Sequence, residues 1–193
     1  MPRTRAPERV ETERLILRRP TARDALTIFQ TYASDPDVTR FVGWPTHGRR
    51  SDTRAFLEFS DAEWQRWPAG PYVAVQRDSG AIIGSTGLGF ETPQRAATGY
   101  VFAKDAWGQG YATESLRAMV RVAEDCGVVR LYALCHHLHR ASARVLEKAG
   151  FSLEGTLRRF AEFPNLEAGE PCDVLCYAIV FENLRGTEGK MRS

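Results

Sequence analysis

The chain has 193 residues, 43% hydrophobic and 26% charged, with 26 basic against 24 acidic side chains and a formal net charge of +2. That length suits one domain with a real core, and the near-balance of charge gives no footprint for a nucleic-acid partner. Arg49-Arg50 and Arg158-Arg159 read as short solvated edges.

The longest apolar run, near Val174 to Phe181, is too short to span a bilayer. The start "MPRTRAPERVETER" lacks the apolar stretch of a secretory signal, and Glu8, Glu11 and Glu13 argue against a mitochondrial presequence. The expectation is a cytoplasmic protein with neither a membrane nor a nucleic acid as partner. Its cysteines, Cys126, Cys135, Cys172 and Cys176, have no zinc spacing and are expected to be reduced, small core residues.

In chain order, residues 1–10 are expected to be a disordered arm, and "RLILRRP" predicts a first strand from Arg14 to Arg19. Thr21 with Asp24 three residues on is a capping signature for a helix through "ARDALTIFQTYA". "DPDVTRFVGWPTHGRRSD" reads as a loop with room for one helical turn, and a second helix runs from about Thr53 to Trp67. "PYVAVQ", the turn "RDSG" and "AIIGSTGLGF" predict a β-hairpin, and "ATGYVFA" a further strand. Leu116, Met119, Val120 and Ala123 form the stripe of an amphipathic helix ending near Gly127. "RLYALC" is a strand, Ser142 to Ala149 a helix, and "FSLEGTLRRF" and "CDVLCYAIVF" two closing strands. The sum is a single α+β domain over 11–184, followed by a flexible tail at 185–193. Monomer and homodimer both remain open.

"KDAWGQGYATES" carries chemistry because two glycines stand between a strand and a helix. A dinucleotide fingerprint would need a third glycine at Thr113 and an acid after the strand 130–135, where Cys135-His136 stands. A P-loop string is absent from the sequence. Two readings stay open on these residues. One is a backbone cradle for a pyrophosphate, built from unpaired N–H groups and the helix dipole with small Gly108, Gly110 and Ala112 clearing the approach; the other is a plain turn.

The stretch from Gly99 to Arg158, together with "TERLILRRPTARDA", "IIGSTGLGF" and "DVLCYAI", resembles the GNAT superfamily of N-acetyltransferases, in its ribosomal-protein-alanine (Rim-type) branch. The resemblance extends from Glu11 to about Phe181. The loop pattern Gln/Arg-x-x-Gly-x-Gly/Ala falls on Trp107 to Ala112, and "SARVLEKAGF" matches the segment that follows in that family.

The resemblance implies a mixed, mostly antiparallel sheet with a splayed strand at a coenzyme A cleft, and acetyl-CoA as donor. It implies that Trp107, Gly108, Gln109, Gly110, Tyr111, Ala112 and Thr113 hold the pyrophosphate. Tyr100, Val101, Phe102 and Ala103 would pair their backbone with the pantetheine arm. The amide of Val101 or Phe102 would act as oxyanion donor. Transfer would be direct, in a ternary complex, to a primary amine on a peptide N-terminus or a small molecule. His139 replaces the family Asn near the coenzyme arm, and Ser142 becomes the candidate proton donor to the departing thiolate.

Where the family often has a glutamate, this sequence has Ala97. Glu91 is therefore the tentative base, with Glu162, Glu114 or a water relay as alternatives. His136, His137 and His139 lack a carboxylate at metal-site spacing, so no metal is expected. Two rivals stand beside the enzyme: a CoA-binding module that has lost catalysis, suggested by Ala97 and His139, and an α+β protein whose Gly-x-Gly is a turn.

Overall fold

The computed structural model describes residues 4–166 and 169–182. Its strands are β1 (Arg9–Glu11), β2 (Leu15–Arg18), β3 (Pro71–Gln76), β4 (Ile82–Thr92), β5 (Arg95–Phe102), β6 (Arg130–His136), β7 (Ser152–Glu162) and β8 (Pro171–Val180). A 3-10 turn at Ala22–Asp24, α1 (Ala25–Ile28) and a π turn at Phe29–Ala33 follow one another where one helix is expected. The remaining helices are α2 (Pro36–Thr39), α3 (Arg50–Arg66), α4 (Tyr111–Asp125) and α5 (Arg140–Lys148).

Most elements lie within a few residues of the expected ones, and the α+β class with a mostly antiparallel sheet is what the structure shows. The N-terminal arm differs from expectation. Residues 9–11 form β1, which pairs with β2. Ala6 is buried, its N–H bonds Pro68 O at 2.9 Å, and Arg5 Nη1 donates to Trp64 O at 2.7 Å. Tyr72 donates its hydroxyl to Pro7 O at 2.9 Å. These backbone and side-chain bonds outweigh the polar, Pro-containing composition that predicts disorder. The expected tail, 185–193, lies outside the described residues.

The eight strands form one sheet in the order β1-β2-β3-β4-β5-β6-β8-β7. Every pair is antiparallel except β5 with β6, which run parallel. Those two share only the rungs Arg95–Arg130, Ala96–Leu131 and Ala97–Tyr132. Beyond Ala97, β5 stays on β4 as far as the Phe102–Gly84 pair, while β6 stays on β8 as far as His136–Val174. The strands part, and a wedge opens in the middle of the sheet.

α4 closes one side of the wedge. Its apolar stripe, with Leu116, Met119 and Ala123 fully buried, packs into the larger core cluster with Leu15, Leu17, Leu131 and Leu146. Each large apolar side chain so buried contributes roughly 1.5–3 kcal/mol. A second cluster, Ala25, Ile28, Tyr32, Val38, Leu57, Val73, Val75 and Ile82, seats α1 to α3 over the other end of the sheet. Cys126, Cys135 and Cys176 are buried thiols and Cys172 is half-buried.

The loop 40–49 is held from far along the chain. Asn165 donates to Thr39 O (2.7 Å) and Trp44 O (2.8 Å), and its Oδ1 accepts from the backbone N–H (2.8 Å) and Oγ1 (3.0 Å) of Thr46. Two donated and two accepted bonds use the full capacity of the amide. Beside it, Phe41 stacks on His139 at 4.5 Å between centroids and tilts over His136 at 5.3 Å, which Phe163 meets edge-on at 4.9 Å. Burial pushes the imidazoles of His136 and His139 below their ordinary pKa, because a charged ring in this stack loses its water.

Two outcomes follow. Asn165→Ala should lower the unfolding free energy by about 1–3 kcal/mol in urea titrations, since several bonds are lost together. For the histidines, a depressed native pKa means the unfolded chain binds protons first. Their contribution is therefore whole above about pH 6.5 and shrinks as pH falls below it. Melting temperature should be level from pH 8 to 7 and fall between about pH 6.5 and 5. His139→Phe, which keeps the stack and removes one titrating ring, should reduce that fall.

Candidate active site

The wedge between β5 and β6 opens into a cavity of about 1450 Å³. The residues expected at the donor end line it, namely Tyr100 to Phe102, Trp107, Gly108, Gly110 to Thr113, His139 and Ser142, whereas Ala103 and Gln109 are outside the lining. Phe41, Trp44, Phe56, Phe59, Cys135, Glu162 and Phe163 line the same cavity.

The glycine loop adopts a conformation that its sequence permits. Gly108 and Gly110 have φ of 73° and 84°, in the left-handed region, and Gly110 caps α4. A Cβ at Gly108 would meet no protein atom within 4 Å, and one at Gly110 would meet the Arg14 guanidinium at 3.4 Å. Within the protein, the glycines are therefore required by backbone conformation. The first intrahelical bond of α4 is Glu114 N–H to Gly110 O, at 3.0 Å. The N–H groups of Tyr111, Ala112 and Thr113 precede it, at the positive end of the helix dipole and on the cavity wall. An anion of pyrophosphate size fits that donor set.

The trunk of the donor end is β5. Ala103 N–H bonds Ile83 O at 2.9 Å. With the 101–85 and 99–87 pairs in unbroken antiparallel register, alternation turns the Val101 amide toward β4 as well. The amides of Tyr100 and Phe102 face the wedge. Of the two expected oxyanion donors, Phe102 thus has the right side and Val101 does not. Trp107 donates Nε1–H to Phe102 O at 2.7 Å, pinning the loop to the strand; the tryptophan at the first motif position therefore holds by its side chain as well as its backbone.

Ser142, in the first turn of α5, lies 3.0 Å from the Tyr100 hydroxyl. Burial raises the Tyr100 phenol to about 12 and the neighbouring Cys135 thiol to about 11, so both carry their protons at neutral pH. Tyr100 is a hydroxyl partner that the sequence reading credited with backbone alone. His139 precedes α5 and is half-buried against Phe41, at the position expected to face the donor arm.

Glu91 is elsewhere. It accepts a hydrogen bond from Tyr132 and pairs with Arg95 at 2.6 Å, at the end of the sheet where β5 and β6 are still joined, and it does not line the cavity. Tyr132 and then Arg95 hold its carboxyl below the ordinary range. It is four residues from Arg95 along a hairpin that points it away from the wedge. Glu114 is also committed: it accepts from Thr12 Oγ1 (2.6 Å), Arg14 N (2.7 Å) and Arg14 Nε (2.8 Å). Of the acids considered from sequence, Glu162 is the one on the cavity wall.

Among the described residues, four acids line the cavity: Asp37, Asp52, Glu63 and Glu162. Asp37 is paired with Lys104, and Asp52 accepts from the backbone of Gly48 (3.0 Å) and Arg49 (2.9 Å). Glu162 immediately precedes Phe163, whose ring meets His136 edge-on at 4.9 Å, and Glu63 lies in the last turn of α3. The tryptophans of the N-terminal half divide between the cavity and the core. Trp44 lines the cavity, but Trp64 is buried with its indole N–H on Pro71 O (2.8 Å), and Trp67 stacks on Phe90. Among the described residues, no group of His, Cys, Asp and Glu is arranged to hold a metal, and no helix is long and apolar enough to cross a membrane.

Comparison with known proteins agrees with this geometry. The acetyltransferase (GNAT) domain family matches residues 14–152. An uncharacterised N-acetyltransferase of Bacillus subtilis (strain 168), YoaA, is 30% identical over 174 residues, covering 89% of this chain and 96% of its own. Among solved structures, RimL, a ribosomal L7/L12 alpha-N-protein acetyltransferase in complex with coenzyme A, superposes with a TM-score of 0.79 at 22% identity, covering 90% of this chain and 98% of that one. The microcin C7 self-immunity acetyltransferase MccE, in complex with acetyl-CoA and AMP, has a TM-score of 0.78 at 19% identity over 88% of this chain and 94% of its own. With a family match across most of its length and the parted strands and capped helix that go with it, the chain belongs to the GNAT acetyltransferase family.

Proposed function

We propose that the protein transfers an acetyl group from acetyl-CoA to a primary amine, on a peptide N-terminus or a small molecule, by direct attack within the wedge. The observation that carries this reading is the joining of the α4 N-terminus, the free β5 edge and a hydroxyl pair in one cavity. When bound, acetyl-CoA supplies a thioester whose carbonyl carbon the amine attacks and whose sulfur departs.

The chain's own groups then have separable tasks. The amides of Tyr111, Ala112 and Thr113 hold the pyrophosphate, and the loop 107–110 carries them to it. The Phe102 amide is aimed at the charge that develops on the carbonyl oxygen. Glu162 takes the proton that the amine must lose. Ser142, supported by the Tyr100 hydroxyl, returns a proton to the sulfur. His139, kept neutral by burial, packs beside the arm without adding charge. Phe41, Trp44, Phe56 and Phe59 form an apolar wall for the flank of the acceptor.

Ala97, in the place of the family glutamate, favours a second reading as a CoA-binding module without turnover. A panel of amines with acetyl-CoA, monitored by thiol release, separates the two: turnover on any amine removes the second reading, and tight CoA binding without turnover removes the first. Failure of saturating CoA to raise the melting temperature would remove both.

Glu162→Gln should lower kcat by about 10²–10⁴-fold in the amine assay, with Glu63→Gln near wild type. Gly110→Val should raise the CoA dissociation constant at least tenfold by calorimetry, because a β-branched residue is strained at φ 84°. Unchanged binding would show that the cradle lies elsewhere.

A further inference from the structure

Arg14 lies in the turn between β1 and β2 and is not among the cavity-lining residues, yet its guanidinium reaches both the glycine loop and the first turn of α4. Its Nη1 donates to Gln109 O at 2.9 Å. Its Nε donates to Glu114 at 2.8 Å, and Nη2 pairs with the same carboxylate at 2.7 Å. The guanidinium covers the Tyr111 ring at 4.5 Å from its centroid and stands 3.4 Å from where a Gly110 Cβ would be. Tyr111 is in turn buried and fixed by Gln76 Nε2 on its hydroxyl at 2.9 Å.

We infer that Arg14 is a positioning residue for the donor's pyrophosphate: it sets the direction of the Gln109–Gly110 peptide and cancels the charge of Glu114. In a trans peptide, C=O and the following N–H point opposite ways. With Gln109 O held outward on Arg14, the Gly110 N–H is turned inward, to the wall that Gly110 forms in the cavity. It joins the helix-terminal amides as a further donor. Glu114, in the first turn of α4, would otherwise oppose a bound anion, and the Arg14 fork neutralises it where it stands.

The wider network explains why this arginine, from a distant turn, is fixed. Thr12 Oγ1 and the Arg14 backbone N–H also close on Glu114, so the 12–14 turn and α4 form one rigid corner. Lysine could supply the charge but not the fork that reaches a carbonyl and a carboxylate at once.

The inference rests on the donor reading above, and the test separates the two. Wild type, Arg14→Ala and Arg14→Lys are assayed with an amine from the panel, using acetyl-CoA and S-acetylpantetheine, a thioester without pyrophosphate. Arg14→Ala should raise the KM for acetyl-CoA about tenfold or more while kcat is held, and leave kcat/KM for S-acetylpantetheine unchanged; Arg14→Lys should fall between. Glu114→Gln, which removes the opposing charge without touching the Gln109 contact, should leave acetyl-CoA binding within a few-fold of wild type. Equal losses on both donors, or no loss on either, would overturn the role of Arg14 while leaving the donor assignment in place. Wild-type protein that does not bind coenzyme A by calorimetry would overturn both.

Discussion

The parting of β5 from β6 is the constraint on which the rest of this molecule depends. An unpaired strand edge inside a sheet is costly, because backbone N–H and C=O groups need partners. Here each strand has a full partner on its other side, β4 for one and β8 for the other, so the gap persists after three shared rungs. Two helices begin at the gap. α4 starts at Gly110 on one flank and α5 starts after His139 on the other. The sheet thus delivers a free edge, two helix N-termini and a hydroxyl pair to one place.

The two ends of the cavity are built by different means. The donor end is mainly backbone: amides of a helix start, an extended strand, and glycines whose side of the Ramachandran map is fixed. The acceptor end is side chains from loops and α3, drawn together by Asn165 and an imidazole–aromatic stack. A backbone site places few demands on residue identity, whereas a side-chain site changes with each substitution.

Sequence legibility followed the range of the interaction. Period-two runs such as "PYVAVQ" and the α4 stripe were readable because the pattern and the burial it reports lie in the same few residues. The glycine loop was readable as a turn leading into a helix, since both the helix start and the positive φ are local. What escaped was non-local. β1 is three residues of polar-looking sequence and exists because β2 pairs with it. Glu91 is close to Ala97 in sequence, but the hairpin carries it to the joined end of β5 and β6. Arg14 and Gln109 are 95 residues apart, and no periodicity records their contact. Trp64 and Trp67 lie on or just after a helix near the mouth, yet their rings turn to the core, which an aromatic residue's identity alone does not disclose.

The Asn165 bonds also bear on the order in which the molecule is made. They join residues 119 to 126 positions apart, so they close among the longest loops in the chain. Such contacts form after local hairpins and helices, because the entropy of closing the loop must be met before the contact returns anything. During synthesis, β3, β4, β5 and α4 can assemble while residue 165 is still within the ribosome. The acceptor wall cannot. The bonds that hold the loop 40–49 therefore form only once residue 165 has joined the fold, more than a hundred residues after the loop itself has been made.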